Sequence, residues 1–115
     1  MKRGEIYWAD LAPRSGSEQT GRRPVILVSH DGFNQTSSWK SIIVVPISTS
    51  ASQGRRGPTV VELPGGAAGL PKASIAVCHQ VTTLDRAKLS RKVGALPWEL
   101  LQEIEAALKA AMDLD

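Results

Sequence analysis

The run Val25-Ile26-Leu27-Val28-Ser29 is apolar at every position but its last. A strand alternates its side chains between two faces, so this run buries both, as a central strand of a sheet does. The segment before it narrows the fold further. Glu5–Leu11 is strand-like, and a loop rich in Gly, Ser and Gln joins it to Gly21-Arg22-Arg23-Pro24. A guanidinium therefore stands at the threshold of a buried strand, at the rim of a polar loop. Arginine is always charged and offers five donors in a planar fork suited to phosphate oxygens. Held at a strand end, it has less freedom than on a surface helix, as a site stabilising charge on a phosphate requires.

The rest of the chain reads as more short strands and one helix. Ser41–Ser48 is a third strand, in which Pro46 implies an edge or a bulge. Thr59–Leu63 is a short fourth, and the Gly- and Pro-rich stretch from Pro64 to Pro71 is loop. Ser74–Thr83 is expected to be the longest strand, with Ile75, Val77, His79 and Val81 on one face and Ala76, Cys78 and Gln80 on the other. Leu84–Leu89 suggests a helical turn, and Arg91–Leu96 a last short strand. Pro97 suits the first position of a helix and Glu99 its first turn. Leu101, Ile104, Leu108, Ala111 and Met112 then recur at helical spacing, a stripe that fits packing on a sheet, and Glu105 and Lys109 form an i,i+4 pair. Five or six strands with Gly/Pro turns and one terminal helix define a mainly β class: a small, strongly curved sheet or partly open barrel closed by the C-terminal helix. The 115 residues suit a single domain, 1–115.

Charge is segregated along the chain. Residues 1–96 hold thirteen of the fourteen Lys and Arg but only six of the eleven Asp and Glu, a net of +7, while residues 97–115 carry −4. A basic body with an acidic end suggests one side that faces a polyanion. No apolar stretch approaches the roughly 18 residues of a membrane span. A single cysteine, Cys78, excludes an intrachain disulfide and suits a reducing cytoplasm, and the N-terminus enters a strand pattern with no signal-peptide core.

Several chemistries find little support. Cys78 and His79 are neighbours and would point to opposite faces of a strand, and no CxxC, HxxxH or carboxylate cluster offers a metal site. Cys78 lies in the apolar run Ile75-Ala76-Val77-Cys78, where a small buried thiol is the simpler reading. Gly65-Gly66-Ala67-Ala68-Gly69 lacks the GK[ST] end of a phosphate loop. His30 and His79 are the right residue type for a base and an acid, but only folding could join them. Arg23 with a hydroxyl is the pair of interest, against the plain alternative of an ion pair with Glu18. If the second and third strands pair antiparallel, Arg23 and the Ser48-Thr49-Ser50 cluster meet at one sheet end.

These residues also carry a resemblance. Gly4-Glu5-Ile6-Tyr7-Trp8-Ala9-Asp10-Leu11, Gly16-Ser17-Glu18-Gln19 and Gly21-Arg22-Arg23-Pro24-Val25 resemble the N-terminal signature of the MazF/PemK family of bacterial toxin endoribonucleases. Val44-Val45-Pro46-Ile47-Ser48 is similar to its third-strand segment, and His79-Gln80-Val81-Thr82-Thr83-Leu84-Asp85 to a late element of the family. The resemblance implies an SH3-like barrel that forms a homodimer, uses no metal or other cofactor, and cleaves single-stranded RNA until a cognate antitoxin covers the site. It places the catalytic arginine at Arg23. The family's catalytic threonine falls on Ser48, which keeps the hydroxyl without the methyl, with Thr49 one residue away. It further implies attack by the RNA's own 2′-hydroxyl, with Glu18 and His79 open as proton acceptors. RNA contacts would come from Ser17, Glu18, Gln19, Asn34 and Gln80 on base edges, and from Arg55, Arg56 and Lys72 on the backbone. Trp39 or Phe33 could stack a base, with a core or surface-packing role an equal alternative for each, while Trp8, inside a strand, reads as core. Two other readings fit a small basic barrel: a nucleic-acid-binding module without catalysis, and a toxin of the CcdB type that binds a protein such as gyrase.

Overall fold

The described residues, 1–11, 16, 21–49 and 57–115, fold in the computed structural model as an antiparallel sheet with one long helix. The strands are β1 (Glu5–Asp10), β2 (Arg22–Leu27), β3 (Ser41–Ser48), β4 (Val60–Leu63), β5 (Ser74–Val77), β6 (Thr82–Asp85) and β7 (Leu89–Ala95). A four-residue helix, α1 (Asp31–Asn34), precedes β3, and α2 (Trp98–Met112) closes the chain. Strand order is β4-β5-β3-β2-β1-β7, with β6 also paired to β3. Among the described residues no pairing joins β4 to β7, so hydrogen bonds leave the barrel open.

Alternation along the central strands builds two cores. Ile26, Val28, Val45 and Ile47 face one side and pack with Ile6, Leu63 and Ala76 and with Ile104, Ala107 and Leu108 of α2. Val25, Leu27, Ile42 and Val44 face the other side, with Ala9, Leu11 and Leu84. The doubly apolar run at 25–28 is thus buried on both faces. On α2 the stripe holds at Leu101, Ile104 and Leu108, but Ala107 is buried while Met112 is 49% exposed. Glu105 accepts a hydrogen bond from Arg3, whose Nε also donates to the Val28 carbonyl.

The expected long strand Ser74–Thr83 is two strands. β3 pairs with β6 from Ser41↔Asp85 to Val44↔Thr82, then with β5 at Ile47↔Ala76 and Ser48↔Ile75. The two registers differ by three residues, and these form the 3-10 turn Cys78–Gln80. Pro46 sits in the same gap. The Ile43 carbonyl accepts from Val28 and Ser29 on the β2 side, so by alternation the missing N–H of Pro46 falls on the interrupted edge, where it leaves no ladder bond unmade. Leu84 likewise belongs to β6 rather than to a helical turn, which is displaced to Arg86–Lys88, and β7 begins at Leu89.

The sheet's open side is bridged by the β4–β5 loop. Its 3-10 turn Ala67–Gly69 lies against β7 backbone to backbone: a Cβ on Gly94 would stand 2.1 Å from the Ala68 carbonyl oxygen, and one on Gly69 2.3 Å from that of Val93. Only glycine permits so close an approach. Leu70, buried to 3% exposure, follows this anchor and joins the main core.

Candidate active site: a cleft at the end of the sheet

Among the described residues the main core is left uncapped where β1, β2 and β3 converge on the β4–β5 loop, and the result is a cleft of about 280 Å³. Ile47, Leu70 and Val93 extend from the core into it. Trp8, Arg22, Arg23 and Pro24 form one wall, and Pro71, Lys72 and Ser74 the other, with Thr49 at the β3 end. Among the described residues the lining is mostly apolar, and its charged groups are all cations.

Each wall follows from local pairing. β1 and β2 run antiparallel with Trp8↔Pro24, Ala9↔Arg23 and Asp10↔Arg22 as partners. Trp8 is consequently half-exposed at the cleft rather than core, a correction to the expectation from its place in a strand. The Arg22 guanidinium lies 5.3 Å from the Trp8 ring centroid, a cation–π contact. On the opposite wall, Ser74 Oγ donates to the Lys72 carbonyl at 2.9 Å.

β2 and β3 do pair antiparallel, through Val25↔Pro46, Ile26↔Val45 and Leu27↔Val44. Carried two residues further, this register sets Arg23 opposite Ser48, and alternation gives both the face of Val25 and Val44. Arg23 is half-buried and reaches the cleft rim, Ser48 is only 2% exposed, and Thr49 is exposed and lines the cleft. Two hydroxyls therefore flank Arg23 at the sheet end: Ser48 buried on its own face, Thr49 open on the other.

Lys72 joins this cleft, but two expected base-reading residues lie elsewhere. Asn34 is 1% exposed at the other end of β3, where its amide donates to the Ser29 carbonyl and Asp31, and its Oδ1 accepts from Ser29 Oγ. It is a structural residue locking α1, not a free base-reading amide. Gln80 is half-buried in the 3-10 turn that interrupts β5 and β6, away from the cleft lining. Ser17, Glu18, Gln19, Arg55 and Arg56 lie outside the described residues, as does any ion pair between Glu18 and Arg23.

The histidines are separated from Arg23 as well. His30 Nδ1 accepts from the Gly32 N–H at the start of α1, and His79 Nδ1 shares a hydrogen bond with Thr59 Oγ1; neither lines the cleft. His79 is exposed instead of sharing a strand face with Ile75 and Val77, because the turn lifts it out. Burial pushes the Cys78 thiol up to about 12, which leaves it protonated and unreactive at neutral pH. Phe33 and Trp39 stack on each other, with centroids 4.6 Å apart, at the far end of β3. Arg86 fixes their loop by donating to the carbonyls of Phe33, Thr36 and Trp39.

The structure is thus a small open β barrel with one long helix, carrying an arginine and two hydroxyls at one sheet end. The chain belongs to the PemK-like, MazF-like toxin family of type II toxin–antitoxin systems, whose model matches residues 2–112. It is 34% identical over 114 residues to the endoribonuclease MazF6 of Mycobacterium tuberculosis, covering 99% of this chain and 98% of that protein. It is 33% identical over 114 residues to the endoribonuclease EndoA of Bacillus subtilis, covering 99% of this chain and 96% of that one. A solved mycobacterial endoribonuclease in complex with its cognate antitoxin has the same fold, with a TM-score of 0.80 at 23% identity over 100% of this chain and 97% of that one.

Proposed function

We propose that this chain is the toxin of a toxin–antitoxin pair in the bacterial cytoplasm, and that residues 1–115 act as one endoribonuclease domain that cuts single-stranded RNA at the cleft rim. The observation that carries the reading is Arg23 at the mouth of an apolar cleft, opposite Ser48 by strand register and beside Thr49. The full-length relatives named endoribonuclease support it. A cognate antitoxin and a homodimer follow as its partners.

The chemistry suited to these groups is transesterification within the RNA. The 2′-oxygen forms a bond to phosphorus, the bond to the 5′-oxygen breaks, the 2′-hydroxyl proton passes to a base, and the leaving 5′-oxygen gains one. The products are a 2′,3′-cyclic phosphate (or a 3′-phosphate after hydrolysis) and a 5′-hydroxyl. The nucleophile is already held beside phosphorus, so positioning supplies much of the acceleration. Arg23 holds the non-bridging oxygens and stabilises the charge that grows on them. Ser48, buried opposite it, orients Arg23, and Thr49 is the hydroxyl open from the cleft to the substrate's 2′-hydroxyl. Lys72 takes an adjacent phosphate.

The test is a digest of long single-stranded RNA in excess EDTA, beside DNA of the same sequence, with fragment ends mapped. Discrete RNA cuts bearing 5′-hydroxyl ends and intact DNA are expected. Arg23→Ala should lower kcat by about 10²–10³-fold while the fold is kept. Ser48→Ala and Thr49→Ala, run alongside, assign the hydroxyl. Cleavage at the native rate by Arg23→Ala would refute the site.

A further inference from the structure

The part of the cleft beyond Arg23 is too apolar to be only a phosphate seat. Phosphate needs Arg23 and one or two donors; it has no use for Trp8, Pro24, Leu70 and Pro71. The cleft's volume of about 280 Å³ has room for one planar group. Trp8 carries the Arg22 guanidinium over its ring at 5.3 Å. Indole and guanidinium are both surfaces on which splayed RNA bases stack.

We propose that this cleft is a nucleobase subsite, in which one unstacked base beside the cleaved phosphate packs on the Trp8–Arg22 pair and against Leu70 and Pro71. The inference rests on the endoribonuclease reading and adds to it a specificity determinant. The polar lining indicates which bases fit. Among the described residues, the charged groups at the cleft are Arg22, Arg23 and Lys72, which only donate, and no carboxylate or carboxamide lines it. A base that presents carbonyl acceptors meets these donors: guanine through O6 and N7, or uracil through O4. Adenine and cytosine bring an exocyclic amine, for which the described side chains offer only the Thr49 and Ser74 hydroxyls as acceptors and the three cations none.

The test uses an RNA spanning a mapped cut, with a 2′-O-methyl group at the cleaved nucleotide so that it binds without reacting. An abasic sugar is placed at each position in turn, and affinity is read by fluorescence anisotropy. One position next to the cut should weaken binding about 10–100-fold in the native protein, and less than about twofold once Trp8 is replaced by alanine. Adenine or cytosine at that position should weaken binding where guanine and uracil do not. A second reading needs no change at the cleft. Trp39→Phe with Trp98→Phe leaves Trp8 as the sole indole of the three, and its emission should be quenched by the intact RNA but not by the abasic one.

An abasic penalty that Trp8→Ala leaves in full, or an indole that the bound RNA does not quench, overturns the subsite while cleavage stands. Quenching of Trp8 by an apolar peptide but by no RNA assigns the cleft to a protein partner, and also overturns it. Failure of the native protein to cut any RNA sinks the endoribonuclease reading itself.

Discussion

Gly94→Ala tests whether the cleft's second wall is held in place by the backbone contact between the β4–β5 loop and β7. Gly94 does not have a positive φ, so alanine there meets no conformational penalty, and the whole effect is steric. Its Cβ would stand 2.1 Å from the Ala68 oxygen, 2.6 Å from the Ala68 carbonyl carbon and 3.2 Å from the Gly69 nitrogen. None of these backbone atoms can rotate away as a side chain would. The turn Ala67–Gly69 must therefore withdraw by more than an ångström, and Leu70, Pro71 and Lys72 move with it. Forcing one methyl into a packed contact costs about 1–3 kcal/mol. At roughly 4 °C per kcal/mol for a chain of this size, Tm should fall by about 4–12 °C. RNA cleavage is then measured at a temperature where the variant is folded. KM should rise several-fold with kcat nearly unchanged, because Lys72 and Pro71 have moved while Arg23, on β2, has not. An unchanged Tm, or a loss confined to kcat, would refute the idea that this contact positions the wall.

Three further outcomes follow from the same structure. Asn34→Ala removes the partners of the Ser29 hydroxyl and carbonyl inside the fold; unfolding in urea should show a loss of about 2–3 kcal/mol with KM for RNA unmoved, whereas a base-reading residue would show the reverse. Cys78 should resist alkylation in the native protein at pH 8 and react at once in denaturant, as a mass-shift assay would show, since burial holds its thiol up near 12. Glu5 is the pH-sensitive link between β1 and β7: burial alone would raise its carboxyl, but hydrogen bonds from Lys92, the Lys2 N–H and Tyr7 outweigh this and hold it down at about 2, against an ordinary 4.5. A depressed carboxyl contributes stability above its unfolded value and loses it as pH falls from about 4.5 to 2. Glu5→Gln should therefore cost up to about 3 kcal/mol at pH 7 and far less at pH 2, read as converging Tm values.

The central strand was legible because burial on both faces leaves an unmistakable composition at 25–28, and α2 because a helix repeats its apolar stripe. The break between β5 and β6 was not. Ser74–Thr83 alternates as one strand does, and the interruption shows only in its pairing: β3 takes two registers, on either side of Pro46, that differ by three residues. Pro46 signalled an irregularity, but nothing in residues 74–83 says that they must absorb it. The same turn carries His79 outward and Gln80 away from the cleft, so one missed corner explains two misplaced residues.

The site was legible only in part, and for a physical reason. Antiparallel pairing of β2 and β3 was enough to bring Arg23 and Ser48 to one end, since register follows from adjacency. Trp8 gave no such sign. A tryptophan inside a strand reads as core, and its place at the cleft depends on where the main core runs out of cover. That boundary is set by the Gly69–Gly94 approach, sixty and more residues away. The two glycines look like loop and strand-end residues until the backbones are seen touching. What selects an RNA base in this toxin would then be fixed less by the Gly21–Val25 signature around Arg23 than by how closely the β4–β5 loop can approach β7. Related chains that share the signature but carry a Cβ at either glycine should hold the loop farther out, and cut at different sequences.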